Sequence, residues 1–349
     1  MKTAVEDIPE ADRVPGAPHP RLARRVIGQD AAIAAFTQAA REDRLHHAWL
    51  LTGPRGTGKA TLAWAIARWL LSGSDSADLS TDPDAPEARR LAALSEPRLQ
   101  LVRRPWDDKA GRLSAQITVD EIRKLLSFFH MSAAEGGRRV AIIDAADDMN
   151  PAAANALLKV LEEPPAGAVI LLIAHQPAGL LPTIRSRCRT LRLSPLSPAQ
   201  LGGILGDLGI HEDAEALAAL SGGSVGEALR LAGQDGLDRY QQLVDLFATL
   251  PRFDRLAAAK FAEGAAGRAT AEGDPFDLTI TLLDRFLARL ARAGLMGAPL
   301  IQAARGEAAL MARLAPDDLA ARAWAEAQAQ LSARARRGRA VNLDPAALV

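Results

Sequence analysis

Residues 48–60 constrain the fold more than any other stretch of the chain. A short apolar run, Ala48-Trp49-Leu50-Leu51-Thr52, leads into Gly53-Pro54-Arg55-Gly56-Thr57-Gly58-Lys59-Ala60. Helical spacing then resumes over residues 61–71, with Leu62, Ile66, Trp69 and Leu70 at the apolar positions. Strand, glycine-rich loop and helix, in that order, let backbone N–H groups close around phosphates while a lysine reaches the outermost ones. Lys59 is one of six lysines in 349 residues, so its place is not compositional chance. The candidate nucleotide-binding residues are therefore Gly53, Gly56, Gly58, Lys59 and Thr61. One feature is out of pattern. G-x-x-x-x-G-K calls next for Ser or Thr, whose hydroxyl holds Mg²⁺, and the residue here is Ala60. Thr61 lies one position on, rotated by about 100° around the helix, and substitutes poorly.

Further apolar runs follow. Residues 99–102, 140–143, 169–174 and 190–193 read as strands, the last at a sheet edge, and Asp144 closes the second of them. Thr118-Val119-Asp120-Glu121 reads as a capping box opening a helix to about Phe129. Asn150 and Pro151 open another, which stops before Pro164-Pro165. Short apolar strands alternating with helices predict a mainly parallel sheet covered on both faces. The polar, Ser-, Asp- and Pro-containing residues 72–97 read as an insertion or mobile loop. From Pro195 onward no strand is expected. Residues 195–235 read as a small helical lid with a break at Gly222-Gly223, and 236–349 as an Ala- and Leu-rich helical domain. Residues 1–20 read as a flexible lead-in and 21–194 as the α/β core.

Charge and cysteine usage narrow the class. Forty-two basic and 42 acidic side chains leave no net charge, which argues against a protein that coats nucleic acid. One cysteine, Cys188, permits no intrachain disulfide and no multi-cysteine zinc site, and fits a reducing compartment. The amino-terminal residues are not a signal peptide, and no apolar run approaches membrane-spanning length. A cytoplasmic protein without a membrane partner is expected.

Three segments together carry a specific resemblance: Arg139-Val-Ala-Ile-Ile-Asp-Ala-Ala-Asp-Asp-Met-Asn150, Ala156-Leu-Leu-Lys-Val-Leu-Glu-Glu-Pro-Pro165, and Leu181-Pro-Thr-Ile-Arg-Ser-Arg-Cys188. With Val26-Ile-Gly-Gln29 and His46-His-Ala-Trp-Leu50, they resemble the subunits of the bacterial DNA polymerase III clamp loader, a set of AAA+ proteins. The likeness covers roughly residues 20–235. It implies an α/β AAA+ module with a helical lid and an all-α collar. It also implies a Mg²⁺-binding origin for Asp144. The Ser186-Arg187-Cys188 triplet would be an interface motif, whose Arg enters the ATP site of a neighbouring subunit as an arginine finger.

Departures from the family pattern point to one kind of subunit. Where active members carry Ser or Thr, a Glu and a lid Arg, this chain has Ala60, Ala145 and Gly226, while Arg187 is retained. The polar residue that ends the fourth core strand in the family falls at Ala174 or His175. That combination resembles the rigid, non-hydrolysing member of the loader. The resemblance then implies gamma or tau and delta subunits as partners, with the sliding clamp and primed DNA engaged by the complex. It implies no required cofactor and room for weak ATP or ADP binding without hydrolysis. Relatives often carry a four-cysteine zinc module after the loop helix; residues 72–97 stand in that place without a cysteine, so no zinc or other metal is expected. Enzymatic activity of the chain alone stays open. The alternatives are an active gamma- or tau-like ATPase subunit and a stand-alone AAA+ DNA-binding protein.

Overall fold

A computed structural model describes residues 10–11, 13, 17–130, 137–267 and 274–341, apart from the side chains of Arg336 and Ala340. Most of the expected lead-in, residues 1–9, 12 and 14–16, lies outside the described residues. The chain divides into two compact units, Met1–Pro195 and Leu196–Val349.

The first unit is built on strands β1 (Ala48–Thr52), β2 (Leu99–Arg103), β5 (Arg139–Asp144), β6 (Ala168–Ala174) and β7 (Arg189–Arg192). Strands β3 (Trp106–Asp107) and β4 (Arg112–Leu113) form a small hairpin that the hydropathy pattern does not announce. The main sheet is parallel, in the order β2-β5-β6-β1-β7. Its interior strands read as unbroken apolar runs because both faces are covered; β6 is buried at all seven residues. Helices α1 (Asp30–Arg41), α2 (Lys59–Ser72), α3 (Pro86–Ala92), α4 (Val119–His130), α5 (Pro151–Glu162) and α6 (Pro182–Ser186) complete the unit. One apolar cluster joins α1 and α2 to the sheet through Phe36, Trp49, Trp64 and Ile142. The other joins α4 and α5 through Leu125, Leu157, Ile143 and Leu172. Asn150 caps α5, its side-chain oxygen accepting from Ala153 N at 2.8 Å, with Pro151 at the first helical position.

Residues 72–97 correct the expectation of a mobile loop. They contain α3, and Leu79 and Leu91 are buried in the same cluster as α1 and α2. Glu96 is buried and held by Arg90 at 2.8 Å and Arg98 at 2.7 Å. Trp69 Nε1 donates to Ser76 O at 3.0 Å. Two leucines in a polar stretch leave no periodic signal, yet they fill the core beneath α2.

The second unit contains no strand among its described residues. It comprises α7 (Pro198–Asp207), α8 (Ala214–Ser221), α9 (Val225–Ala232), α10 (Gly236–Ala248), α11 (Arg255–Ala265), α12 (Pro275–Met296), α13 (Glu307–Leu314) and α14 (Asp318–Ala340). The stretches expected as lid and collar share this unit, and Glu227 of α9 is paired with Arg285 of α12 at 2.8 Å. The wholly buried Glu307 accepts from Tyr240 Oη at 2.6 Å, from Arg289 Nε at 2.7 Å and Nη2 at 3.0 Å, and from Ala303 N at 2.6 Å. Among the described residues no helix is long and apolar enough to cross a membrane.

Candidate nucleotide site and arginine edge

Parallel strands bring their carboxyl ends to one edge of the sheet, where open α/β sheets bind ligands. Thr52 of β1 lies in register with Ala174 of β6, and Asp144 of β5 with Ile173. The loop from Gly53 to Gly58 leaves that edge and enters α2, whose first residue is Lys59. Gly53, Gly56 and Gly58 all have positive φ, at 143°, 74° and 92°. Gly53 has a second reason to be glycine: a Cβ there would meet Leu193 O at 2.5 Å.

Lys59 is buried, and its ammonium donates to the loop's own carbonyls, Gly53 O at 2.7 Å and Pro54 O at 2.6 Å. Burial pushes its pKa down to about 8, against the pull of Asp144 and Asp147. Thr57 Oγ1 donates to Pro54 O at 2.9 Å. Gln29 Nε2 donates to Thr57 O at 3.1 Å and to Ser194 O at 2.9 Å, while its Oε1 accepts from Ser194 N at 3.1 Å. Gln29 thus ties the loop to the chain leaving β7, a bracing role that no spacing rule signals. Ala60 packs on the apolar cluster beneath α2, and Thr61 is the third residue of that helix. Ala145, directly after the buried Asp144, is itself buried. Gly226 sits in the first turn of α9, in the other unit.

His175 follows β6 immediately, so of the two candidate positions it is the polar one at the strand end. Its backbone N–H and that of Gln176 both donate to Asp147 Oδ2, the second at 3.2 Å. Burial, with Lys59 and Arg55 nearby, pushes the imidazole down to about 4, so it is neutral at pH 7. His175 Nδ1 and Asp147 Oδ1 are buried with no hydrogen-bond partner. The loop, Lys59, Asp144, Asp147 and His175 therefore gather around one strand-end edge, and they include polar atoms that no group among the described residues satisfies. A polyphosphate would be met there by backbone N–H groups and one ammonium. The side-chain hydroxyl that normally holds Mg²⁺ is missing at position 60. Among the described residues no group of three or more His, Cys, Asp or Glu side chains is placed to hold a metal ion.

Ser186, Arg187 and Cys188 lie elsewhere on the same unit. Pro182 opens α6 at its first position, Ser186 is its last residue and Arg187 its C-cap. The triplet leads into β7, which pairs only with β1 and so forms a sheet edge. The Arg187 side chain is 36% exposed; Nη2 pairs with Glu162 Oε1 at 2.8 Å and Nη1 donates to Thr183 O at 3.1 Å. Cys188 packs against the α4–α5 cluster, and burial pushes its thiol up to about 12, so it is an inert core group. The fold thus separates the candidate site residues into a loop set at the strand ends and an arginine at the sheet edge. His46 and His47 stack on each other at 4.3 Å, and His47 Nε2 lies 3.0 Å from Leu161 O, a packing arrangement.

A family model described as "DNA polymerase III, delta subunit" matches residues 28–197. The chain is 40% identical over 225 residues to the DNA polymerase III subunit delta' of Pseudomonas aeruginosa, covering 62% of this chain and 65% of that protein. It is 34% identical over 194 residues to the delta' subunit of Bacillus subtilis, covering 56% of each. The DNA polymerase III subunit gamma of Buchnera aphidicola subsp. Schizaphis graminum is 31% identical over 221 residues, with 61% of this chain and 58% of that protein covered. The chain therefore spans less than two thirds of the length of each of these relatives. On the family match and these identities, the chain is similar over residues 28–197 to subunits of DNA polymerase III, and the loop at the strand ends and the arginine at the sheet edge both lie within that stretch.

Proposed function

We propose that the chain is a non-hydrolysing subunit of a cytoplasmic clamp loader. In this reading it assembles with gamma or tau and delta subunits, supports loading of the sliding clamp onto primed DNA, and lends Arg187 to the ATP site of a neighbouring subunit. One observation carries the reading. Arg187 stands partly exposed at the edge of an AAA+ sheet, while the chain has Ala60 after its phosphate loop and Ala145 after β5, where hydrolysis needs a hydroxyl and a carboxylate. A guanidinium stays charged and offers forked donors to a γ-phosphate, and it requires no local nucleotide to act next door. Arginine fingers in related phosphoryl transfer are worth roughly 10³–10⁵ in rate, diluted in a loader with several sites. The degenerate loop retains Gly53, Gly58 and Lys59, which supports weak ATP or ADP binding without metal or turnover.

The test is a loader reconstituted with Arg187→Ala. Assembly should be intact and clamp- and DNA-stimulated ATPase strongly reduced, with Lys at 187 rescuing poorly because it lacks the planar fork. Unchanged ATPase and clamp loading would sink the trans role. The likeness to gamma subunits favours a second reading, an active ATPase subunit. ATP turnover by the purified chain that Lys59→Ala abolishes would establish it.

A further inference from the structure

The free chain does not leave Arg187 loose. Glu162 is the last residue of α5, and Glu163, Pro164 and Pro165 end that helix abruptly. The C-terminus of α5 thereby delivers a carboxylate to the C-cap of α6. Arg187 Nη2 is ion-paired with Glu162 Oε1 at 2.8 Å, and Nη1 donates to Thr183 O at 3.1 Å. A guanidinium has five N–H donors, so these two anchors leave donors over. Thr183 alone is a single neutral anchor on a long side chain with many rotamers. A second, charged anchor from a different helix fixes where the guanidinium stands.

We propose that Glu162 is a positioning residue for Arg187: its carboxylate, together with the Thr183 carbonyl, holds the guanidinium at the sheet edge with N–H groups left over for a phosphoryl group of the adjacent subunit. This rests on the trans-arginine reading above. The pair suits the task because it is weak. Glu162 is half-exposed and Arg187 more than a third exposed, and an ion pair in that setting restrains a side chain without trapping it. A buried pair would hold the guanidinium away from any phosphate.

The experiment uses full-length protein in the reconstituted loader, carrying Glu162→Ala, Glu162→Gln, Arg187→Ala or the Glu162→Ala/Arg187→Ala pair. Glu162→Ala is expected to lower the stimulated kcat about fivefold, the scale of a surface ion pair, with KM for ATP unchanged. Glu162→Gln, which keeps an acceptor but not the charge, should recover part of the loss. The double variant should be no slower than Arg187→Ala alone. Wild-type kcat in Glu162→Ala while Arg187→Ala is crippled overturns the role of Glu162, and so does a double variant slower than Arg187→Ala. An Arg187→Ala loader with full activity overturns the trans-arginine reading instead. A second measurement stands apart from ATPase. In the free chain, rotation of the Arg187 guanidinium, followed by side-chain ¹⁵N NMR, should be slow in the wild type and faster in Glu162→Ala. Equal rotation in both overturns the restraint.

Discussion

Two buried charged groups in this molecule are treated in opposite ways. Glu307, in the helical unit, has both oxygens taken up by donors from Tyr240, Arg289 and Ala303. Lys59, in the α/β unit, leans on two carbonyls of its own loop, and beside it His175 Nδ1 and Asp147 Oδ1 are buried without partners. Burying a charge is costly unless its hydrogen bonds are made. The first arrangement closes on itself and belongs to the architecture. The second keeps unmet valences at the strand ends, as a site shaped by ligand binding does. On the proposed reading, the loop keeps the electrostatics of a phosphate site while lacking the side chains that hydrolysis needs.

The largest expected effect breaks the closed arrangement. Glu307→Ala leaves the partly buried Arg289 without its carboxylate and the buried Tyr240 hydroxyl without its acceptor, and should destabilise the helical unit by about 3–5 kcal/mol, read from denaturant unfolding; a loss below about 1 kcal/mol would mean that the network is not a brace. Gly53→Ala comes next. It combines a φ of 143° with a 2.5 Å approach to Leu193 O and should cost about 1–3 kcal/mol, together with any anion binding by the loop. The smallest effect has the opposite sign. Lys59→Met removes a charge whose burial is costly and should stabilise the ligand-free protein by about 1–2 kcal/mol at pH 7.

The pH dependence sharpens that last prediction. In the folded chain Lys59 titrates at about 8, below its ordinary 10.5. Below pH 8 the lysine is charged in both folded and unfolded states, and the burial cost is fully present. Between pH 8 and 10.5 the unfolded chain binds the extra proton, so the wild type gains stability as pH rises. Lys59→Met should lack that rise, and its advantage should fade across the same window. Parallel melting curves for the two proteins between pH 7 and 10.5 would contradict the contrast.

Sequence reasoning reaches as far as local patterns do. The five strands of the main sheet, the loop and the helix of residues 59–72 are legible because each is a contiguous run with its own period or punctuation. Leu79 and Leu91 are not, because their burial is decided by α1 and α2 and their neighbours are polar. Asp147 and Gln29 are likewise invisible as site residues, whereas His175 is one of two positions expected to end the strand. Asp147 meets the N–H groups of His175 and Gln176 across 28 and 29 residues, and Gln29 reaches Ser194 across 165. Glu162 lies inside a recognisable segment, but nothing in the spacing says that its carboxylate turns to Arg187. Glu307 is a single acid in an Ala-rich helix, and only the three-dimensional neighbourhood of Tyr240 and Arg289 distinguishes it from a solvated one.

The short strand β7 has a consequence for specificity. It runs four residues, directly after Cys188, and three of them, Arg189, Thr190 and Arg192, are exposed. Its outer side offers unpaired backbone N–H and C=O groups, the template on which stray strands pair and proteins aggregate. Brevity and two arginines make that edge a poor place for another chain's strand to dock. The sheet boundary beside Arg187 is thus fortified against indiscriminate pairing, and on the proposed reading a partner would recognise it by charge and shape instead of by extending the sheet.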